Sequence, residues 1–278
     1  MGVLRRHRIV LVVLCAVPVG VAAAGVAGLW VFQESLMFNG RTAEIVQTPG
    51  ELGWAFEELW LEVPGGRTHG WWMPLEGARG AVLFSHGSGK NVSHYLDDAE
   101  IFRNLGFSVL LYDYGGYGRS TGKPSEQRCY ADVRAVWGHL TGKLGVSPEK
   151  VVLAGASMGG GVTSELAAEV TAGAVVLENT FTSVPDVAGD TLPWLPRFVM
   201  TRLQFRNIEK VPRFRSPLLV VHSVDDDTVP FSHGRRLFEA AGQPKEFLQI
   251  SGSHGGGKFS SGEVYSGGVG AFLERHLP

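Results

Sequence analysis

The sequence predicts an α/β domain with a mostly parallel central sheet flanked by helices, preceded by an apolar segment long enough to cross a membrane. Three observations predict it. Six short apolar runs between residues 81 and 250 lack polar alternation, as strands covered on both faces require. Helix-like segments separate the runs, the alternation that parallel strands and their crossover helices produce. Finally, a glycine-rich turn, Gly155-Ala156-Ser157-Met158-Gly159, falls between one such run and a helix.

Residues 1–8 form a short tail carrying Arg5, Arg6 and Arg8, and no charge then appears from Ile9 to Phe32. As a helix, this run reaches about 36 Å, enough for a hydrocarbon core of roughly 30 Å. Arginines before it and none just after predict a single-pass anchor with a cytoplasmic N-terminus and the rest of the chain on the opposite side. Two other readings stay open. Ala22-Ala23-Ala24 could be the cleavage site of a signal peptide, giving a secreted form, or the run could be a buried helix of a soluble domain. The apolar stretch continues past that site to Trp30, an interfacial anchor type, which favours the uncleaved span. Residues 33–56 read as a connector with breakers at Asn39-Gly40 and Pro49-Gly50.

The domain then occupies residues 57–278. Leu59 to Val63 and Thr68 to Met73 form an opening strand pair around Pro64-Gly65-Gly66. The remaining strands centre on residues 81–84, 108–112, 151–154, 174–177, 218–221 and 247–250. Helices are expected over 95–105, 125–140, 162–170, 234–241 and 264–277, with Tyr130, Val133, Val136 and Trp137 on one side of the second. Residues 181–212 interrupt the rhythm. Rich in Pro, Trp, Phe and Leu, they predict a small cap over the C-terminal ends of the strands, where such folds bind ligands.

Composition excludes several classes. With 44% hydrophobic and 19% charged residues the chain is not disordered, and a net charge of -2 offers no broad basic surface for nucleic acid. Two cysteines, Cys15 and Cys129, cannot build a disulfide scaffold or a cysteine-rich zinc module. No dinucleotide fingerprint or metal-ligand pattern is evident, so no cofactor and no metal is expected. The loop Ser85-His86-Gly87-Ser88-Gly89-Lys90-Asn91 is not a phosphate cradle, because Asn91 follows Lys90 where that motif needs Ser or Thr.

A strand–turn–helix setting is what a nucleophile elbow requires, so Ser157 is the candidate nucleophile. A serine hydroxyl needs a base to take its proton and a carboxylate to orient that base. After the strand at 218–221 comes His222-Ser223-Val224-Asp225-Asp226-Asp227, and after that at 247–250 comes Ser251-Gly252-Ser253-His254. Both loops belong at the strand ends near Ser157. His254 is the expected base. Asp226 is the favoured acid, with Asp225 and Asp227 open, Glu178 an outside candidate, and some of the aspartates free to cap the next helix. His233 is read as a helix-start cap, and His86 and His222 as structural or oxyanion-loop residues. The two oxyanion donors are expected to be the N–H groups of Met158, directly after the nucleophile, and Ser88, in the loop after an early strand.

These segments, together with Tyr-Asp-Tyr-Gly-Gly-Tyr-Gly-Arg-Ser at 112–120, resemble the α/β-hydrolase superfamily. The chain is most similar to membrane-anchored serine hydrolases of the ABHD-depalmitoylase type, which also carry a Gln-x-x-Leu-x-Phe-like stretch after the span, here Gln33 to Phe38. The resemblance implies Ser157, Asp226 and His254 as the triad and an α/β-hydrolase fold. The run Gly255-Gly256-Gly257 departs from the family pattern and predicts a mobile histidine loop.

If the cap roofs the site, Trp194, Phe198 and Met200 are the expected substrate contacts, and an acyl or lipid-like small molecule is the expected guest. Ester or thioester hydrolysis through an acyl-enzyme leads. A peptidase of the prolyl-oligopeptidase type and a non-catalytic membrane-bound interaction module are the alternatives.

Overall fold

The computed structural model describes residues 20, 21, 23–194, 199 and 202–277. Eight strands form one sheet: β1 (Glu57–Val63), β2 (Gly66–Met73), β3 (Gly80–Ser85), β4 (Phe107–Tyr112), β5 (Val151–Ala156), β6 (Ala174–Glu178), β7 (Leu218–Ser223) and β8 (Lys245–Ile250). Their order is β1-β2-β4-β3-β5-β6-β7-β8. β2 runs antiparallel to β1 and β4, and from β4 to β8 every pairing is parallel. All residues of β4, β5, β6 and β7 are buried, which is why these strands read as unbroken apolar runs.

Helices cover both faces. α1 (Leu96–Asn104) and α8 (Glu263–His276) pack Phe102, Val269 and Phe272 against Val82, Val109 and Val152. On the other face α2 (Glu126–Gly138), α3 (Met158–Ala167) and α6 (Phe231–Ala240) bring Val133, Val162 and Leu237 to Leu83, Leu110 and Leu153. Alternate residues of each strand thus feed two separate cores. The register puts Ser85 beside Gly155, Ala156 beside Glu178 and Ser223 beside Ile250, so the C-terminal ends of β3, β5, β6, β7 and β8 share one edge.

Two helix starts differ from expectation. α3 begins at Met158, several residues before 162, because Gly159, Gly160 and Gly161 are helical despite their poor intrinsic propensity. α6 begins at Phe231 instead of 234, with Pro230 as its N-cap.

The segment 181–212 contains no strand among its described residues. α4 (Val184–Thr191) starts at Ser183, whose side chain accepts from the Asp186 N–H, and α5 (Asn207–Lys210) returns the chain to β7. Phe181, Val184, Leu203 and Phe205 join the core beneath α4. Residues 33–56 begin as the end of a helix that runs over 23–37 and continue irregularly against the domain. Phe38 is fully buried, with its ring 6.3 Å from that of Tyr117. Half of the apolar run at 9–32 that predicts a span lies outside the described residues. Among those described, no helix is long and apolar enough to cross a membrane.

Candidate active site

Ser157 ends β5 and caps α3 with φ 53° and ψ -121°, a conformation a side-chain-bearing residue rarely adopts. Such strain costs about 1–3 kcal/mol and persists only where surroundings enforce it. Here the Ser157 N–H donates to the Glu178 carbonyl at 2.9 Å, while its own carbonyl accepts from Thr180 Oγ1 at 2.7 Å. The sharp turn also needs close approach. A Cβ on Gly159 would collide with the carbonyls of Ser85 and His86, and one on Gly160 with the Thr180 side chain.

The Ser157 hydroxyl lies 2.9 Å from His254 Nε2, and His254 Nδ1 lies 2.7 Å from Asp226 Oδ2. The Asp226 side chain is fully buried and its Oδ1 also accepts from the N–H groups of Thr228 (2.9 Å) and Val229 (2.7 Å). Burial alone would raise its pKa, but the hydrogen bond from His254 and those from Val229 and Thr228 outweigh that and hold it below the ordinary carboxylate value.

The other aspartates do different work, and neither caps α6. Asp225 Oδ2 accepts from the Gly252 N–H at 3.0 Å, and Asp227 Oδ1 accepts from the His254 N–H at 3.3 Å. Asn179 adds a tie that sequence reasoning missed, its Nδ2 donating to the His254 carbonyl at 2.8 Å. Ser223 Oγ donates to the Gly252 carbonyl at 2.5 Å. The histidine loop is therefore held at Gly252 and His254, just before the glycine run.

Met158 occupies the first turn of α3, where backbone N–H groups have no intrahelical acceptor. Ser88 faces it from the loop after β3. His86 Nδ1 donates to the Gly87 carbonyl at 2.7 Å, fixing the peptide plane that carries the Ser88 N–H, and Tyr117 donates to the Ser88 carbonyl at 2.9 Å.

A family model described as serine aminopeptidase, S33, matches residues 76–209. The α/β hydrolase domain-containing protein WAV2 of Arabidopsis thaliana is 32% identical over 286 residues, covering 93% of each chain. The chain belongs to the α/β-hydrolase family. Hydrolysis of the kind this family performs is accordingly its activity class. The human α/β hydrolase domain-containing protein 17B is 36% identical over 182 residues, covering 63% of this chain and 60% of that one. Esterase Pf2001 of Pyrococcus furiosus superposes with a TM-score of 0.71 at 19% identity, over 86% of this chain and 96% of its own, a likeness of fold.

Two cavities of this α/β-hydrolase meet at Ser157, Ser88 and Thr228. One, about 420 Å³, is the more polar of the two, with Lys90, Asp97, Asp98, Glu178 and Lys258 in its lining. The other, about 250 Å³, is apolar and lined by Met37, Met158, Phe181, Val184, Val187 and Leu192. Trp194 is 70% exposed and lines neither cavity, whereas α4, whose small and branched residues carried no obvious signal, supplies the apolar wall. Phe198 and Met200 lie outside the described residues.

The Lys258 ammonium sits buried between Asp98 Oδ1 (2.5 Å) and Glu178 Oε1 (2.7 Å), and Tyr265 donates to Glu178 Oε2 at 2.7 Å. Glu178 is thus committed to this cluster and not to His254. His222 and His86 are buried structural groups, the former donating from Nε2 to the Val229 carbonyl at 3.0 Å. His233 is not a helix cap. It is buried, with Nδ1 accepting from the Thr182 N–H at 3.2 Å and Nε2 3.1 Å from Asp190. It ties α6 to the insertion.

Proposed function

We propose that this α/β-hydrolase is a membrane-tethered serine hydrolase that cleaves carboxylic esters or thioesters through an acyl-enzyme. The observation that carries the reading is the unbroken relay from Asp226 through His254 to the Ser157 hydroxyl, at 2.7 and 2.9 Å. In this mechanism His254 Nε2 takes the Ser157 proton as Oγ bonds to the acyl carbon. Asp226 holds the ring and supports the imidazolium that forms. The tetrahedral oxyanion is met by the N–H groups of Met158 and Ser88, each worth roughly 3–4 kcal/mol in comparable sites. Collapse transfers the proton from His254 to the departing alcohol or thiol. Water, deprotonated by the same imidazole, then releases the acid and restores Ser157.

The apolar cavity suits an acyl chain and the polar one a departing group. A free substrate amine, as an aminopeptidase would bind, competes with Lys258 for Asp98 and Glu178. That favours esters over peptides. The tether rests on the uncharged run from Ile9 to Phe32 behind Arg5, Arg6 and Arg8.

Fluorophosphonate labelling and turnover of p-nitrophenyl esters, acyl thioesters and aminoacyl arylamides test the reading. Wild-type protein is expected to label and to turn over the acyl substrates, and Ser157→Ala to do neither while remaining folded. Absence of wild-type labelling favours the interaction module, preference for the arylamides favours the peptidase, and a steady fall in turnover from acetyl upward argues against an acyl-chain guest. Resistance of the full chain to alkaline carbonate extraction tests the tether.

A further inference from the structure

One wall of the apolar cavity comes from outside residues 57–278. Met37, the last residue of the helix over 23–37, lines it opposite Val184, Val187 and Leu192 of the insertion. We infer that this N-terminal helix is a specificity element of the active site: it closes the acyl cavity with Met37 and, through Gln33, clamps the insertion over it, so that its docking sets the acyl-chain length the enzyme prefers. The inference rests on the acyl-hydrolase reading above.

Gln33 is the unusual residue of this helix. It is 2% exposed, whereas its neighbours Phe32 and Leu36 are 58% and 61% exposed. A buried primary amide is costly unless its donors and acceptor are met. Gln33 Nε2 donates to the Val199 carbonyl at 2.8 Å and to the Trp30 carbonyl at 3.1 Å, and its Oε1 accepts from the Arg202 N–H at 3.1 Å. One side chain thereby grips the insertion backbone at two points three residues apart. The Arg202 guanidinium returns to the helix, 5.1 Å from the Trp30 ring and 3.9 Å from Glu34. Val199, at one gripped point, and Leu203, next to the other, are buried.

The consequence is geometric. The insertion backbone held at 199 and 202 leads directly into Leu203 and Phe205, which pack beneath α4, and α4 supplies the facing wall of the cavity. Helix and insertion therefore form one unit around the acyl end, while the Ser157–His254–Asp226 relay is built from the ends of β5, β7 and β8 and does not pass through Gln33. Loosening the clamp alters the fit of a long chain more than that of a short one. Pocket fit discriminates by about 10-fold or more per methylene in favourable cases.

The test compares full-length protein in detergent micelles with p-nitrophenyl acetate, butyrate, octanoate and laurate. Gln33→Leu keeps a side chain of similar volume and removes all three backbone bonds, the two to the insertion among them. It is expected to lower the octanoate-to-acetate ratio of kcat/KM about tenfold, through a raised KM for octanoate and not a lowered kcat. Gln33→Glu, which retains the acceptor for Arg202 and loses the donor to Val199, should fall between. Met37→Ala enlarges the cavity and should move the optimum towards laurate, giving a second reading if Gln33→Leu does not fold. A parallel loss on all four esters, or an unchanged profile in both Gln33→Leu and Met37→Ala, overturns the inference while leaving the hydrolase reading intact. Absence of both turnover and fluorophosphonate labelling in the wild type overturns both.

Discussion

Asn179 holds the backbone of His254: its Nδ2 donates to the His254 carbonyl at 2.8 Å while its Oδ1 accepts from the Ser223 N–H at 2.9 Å. The residue sits just past β6 with φ 43° and joins the end of β7 to the histidine loop. Asn179→Gly keeps a backbone that tolerates positive φ and deletes only the bridge. A misoriented base costs about one to two powers of ten, or ~1.4–2.7 kcal/mol of barrier. The expected outcome is a 10–100-fold lower kcat with little change in KM, measured by steady-state ester turnover on folded protein.

Asp226 joins the proposed relay to acid stability. Its folded pKa lies below the ordinary 3.8, because hydrogen bonds outweigh the burial that would raise it. The unfolded chain therefore takes up the proton first as pH falls. The stabilisation is present above the unfolded value and is lost as pH drops through the lower folded one. Asp226→Asn removes this dependence. Its Tm should decline less than that of the wild type between about pH 5 and pH 2, and its turnover near neutral pH should fall by about 10⁴ through loss of the oriented imidazole. Calorimetry across that range and ester kinetics check the two parts separately.

The elbow leaves no room for a side chain at Gly159, two residues after Ser157. A Cβ on Gly159 meets the Ser85 and His86 carbonyls, which are backbone atoms of the adjoining strand end and cannot swing aside. Gly159→Ala should destabilise by more than about 3 kcal/mol, through overpacking against rigid backbone. Gly142→Ala, whose Cβ would meet nothing within 4 Å, is the control. Chemical denaturation of the two variants decides the point.

These residues also show what the sequence carried. Strands buried on both faces leave continuous apolar runs, and a tight strand-to-helix turn leaves glycines, so sheet and elbow were both legible. The choice among Asp225, Asp226 and Asp227 leaned to Asp226 but stayed open. It depends on turn geometry in which Asp226 receives Thr228 and Val229 while its neighbours reach Gly252 and His254. Apolar composition likewise could not say which cap residues face the cavity, and Trp194, the largest of them, faces solvent. Lys258 lies 160 positions from Asp98, and no local pattern announces such a pair.

That pair supports the last prediction. Burial would lower the Lys258 pKa, but Asp98 and Glu178 outweigh it and raise it, so the ammonium remains charged in the interior. Lys258 belongs to α7 (Gly257–Ser261), which starts at the last glycine of the run after His254, and so it pins that loop to α1 and β6. Lys258→Met leaves two buried carboxyl groups without their cation, which should cost about 3–5 kcal/mol and lower kcat as the loop loosens. Adding Asp98→Leu and Glu178→Gln removes the stranded charges. The triple variant should regain most of the stability, because replacing a whole buried ion cluster is far less costly than breaking it. It should not regain kcat, because the tether between α7 and β6 stays absent. Denaturation midpoints and ester kinetics on the single and triple variants separate the two effects, and equal recovery of both would show that the cluster stabilises the fold without positioning the base.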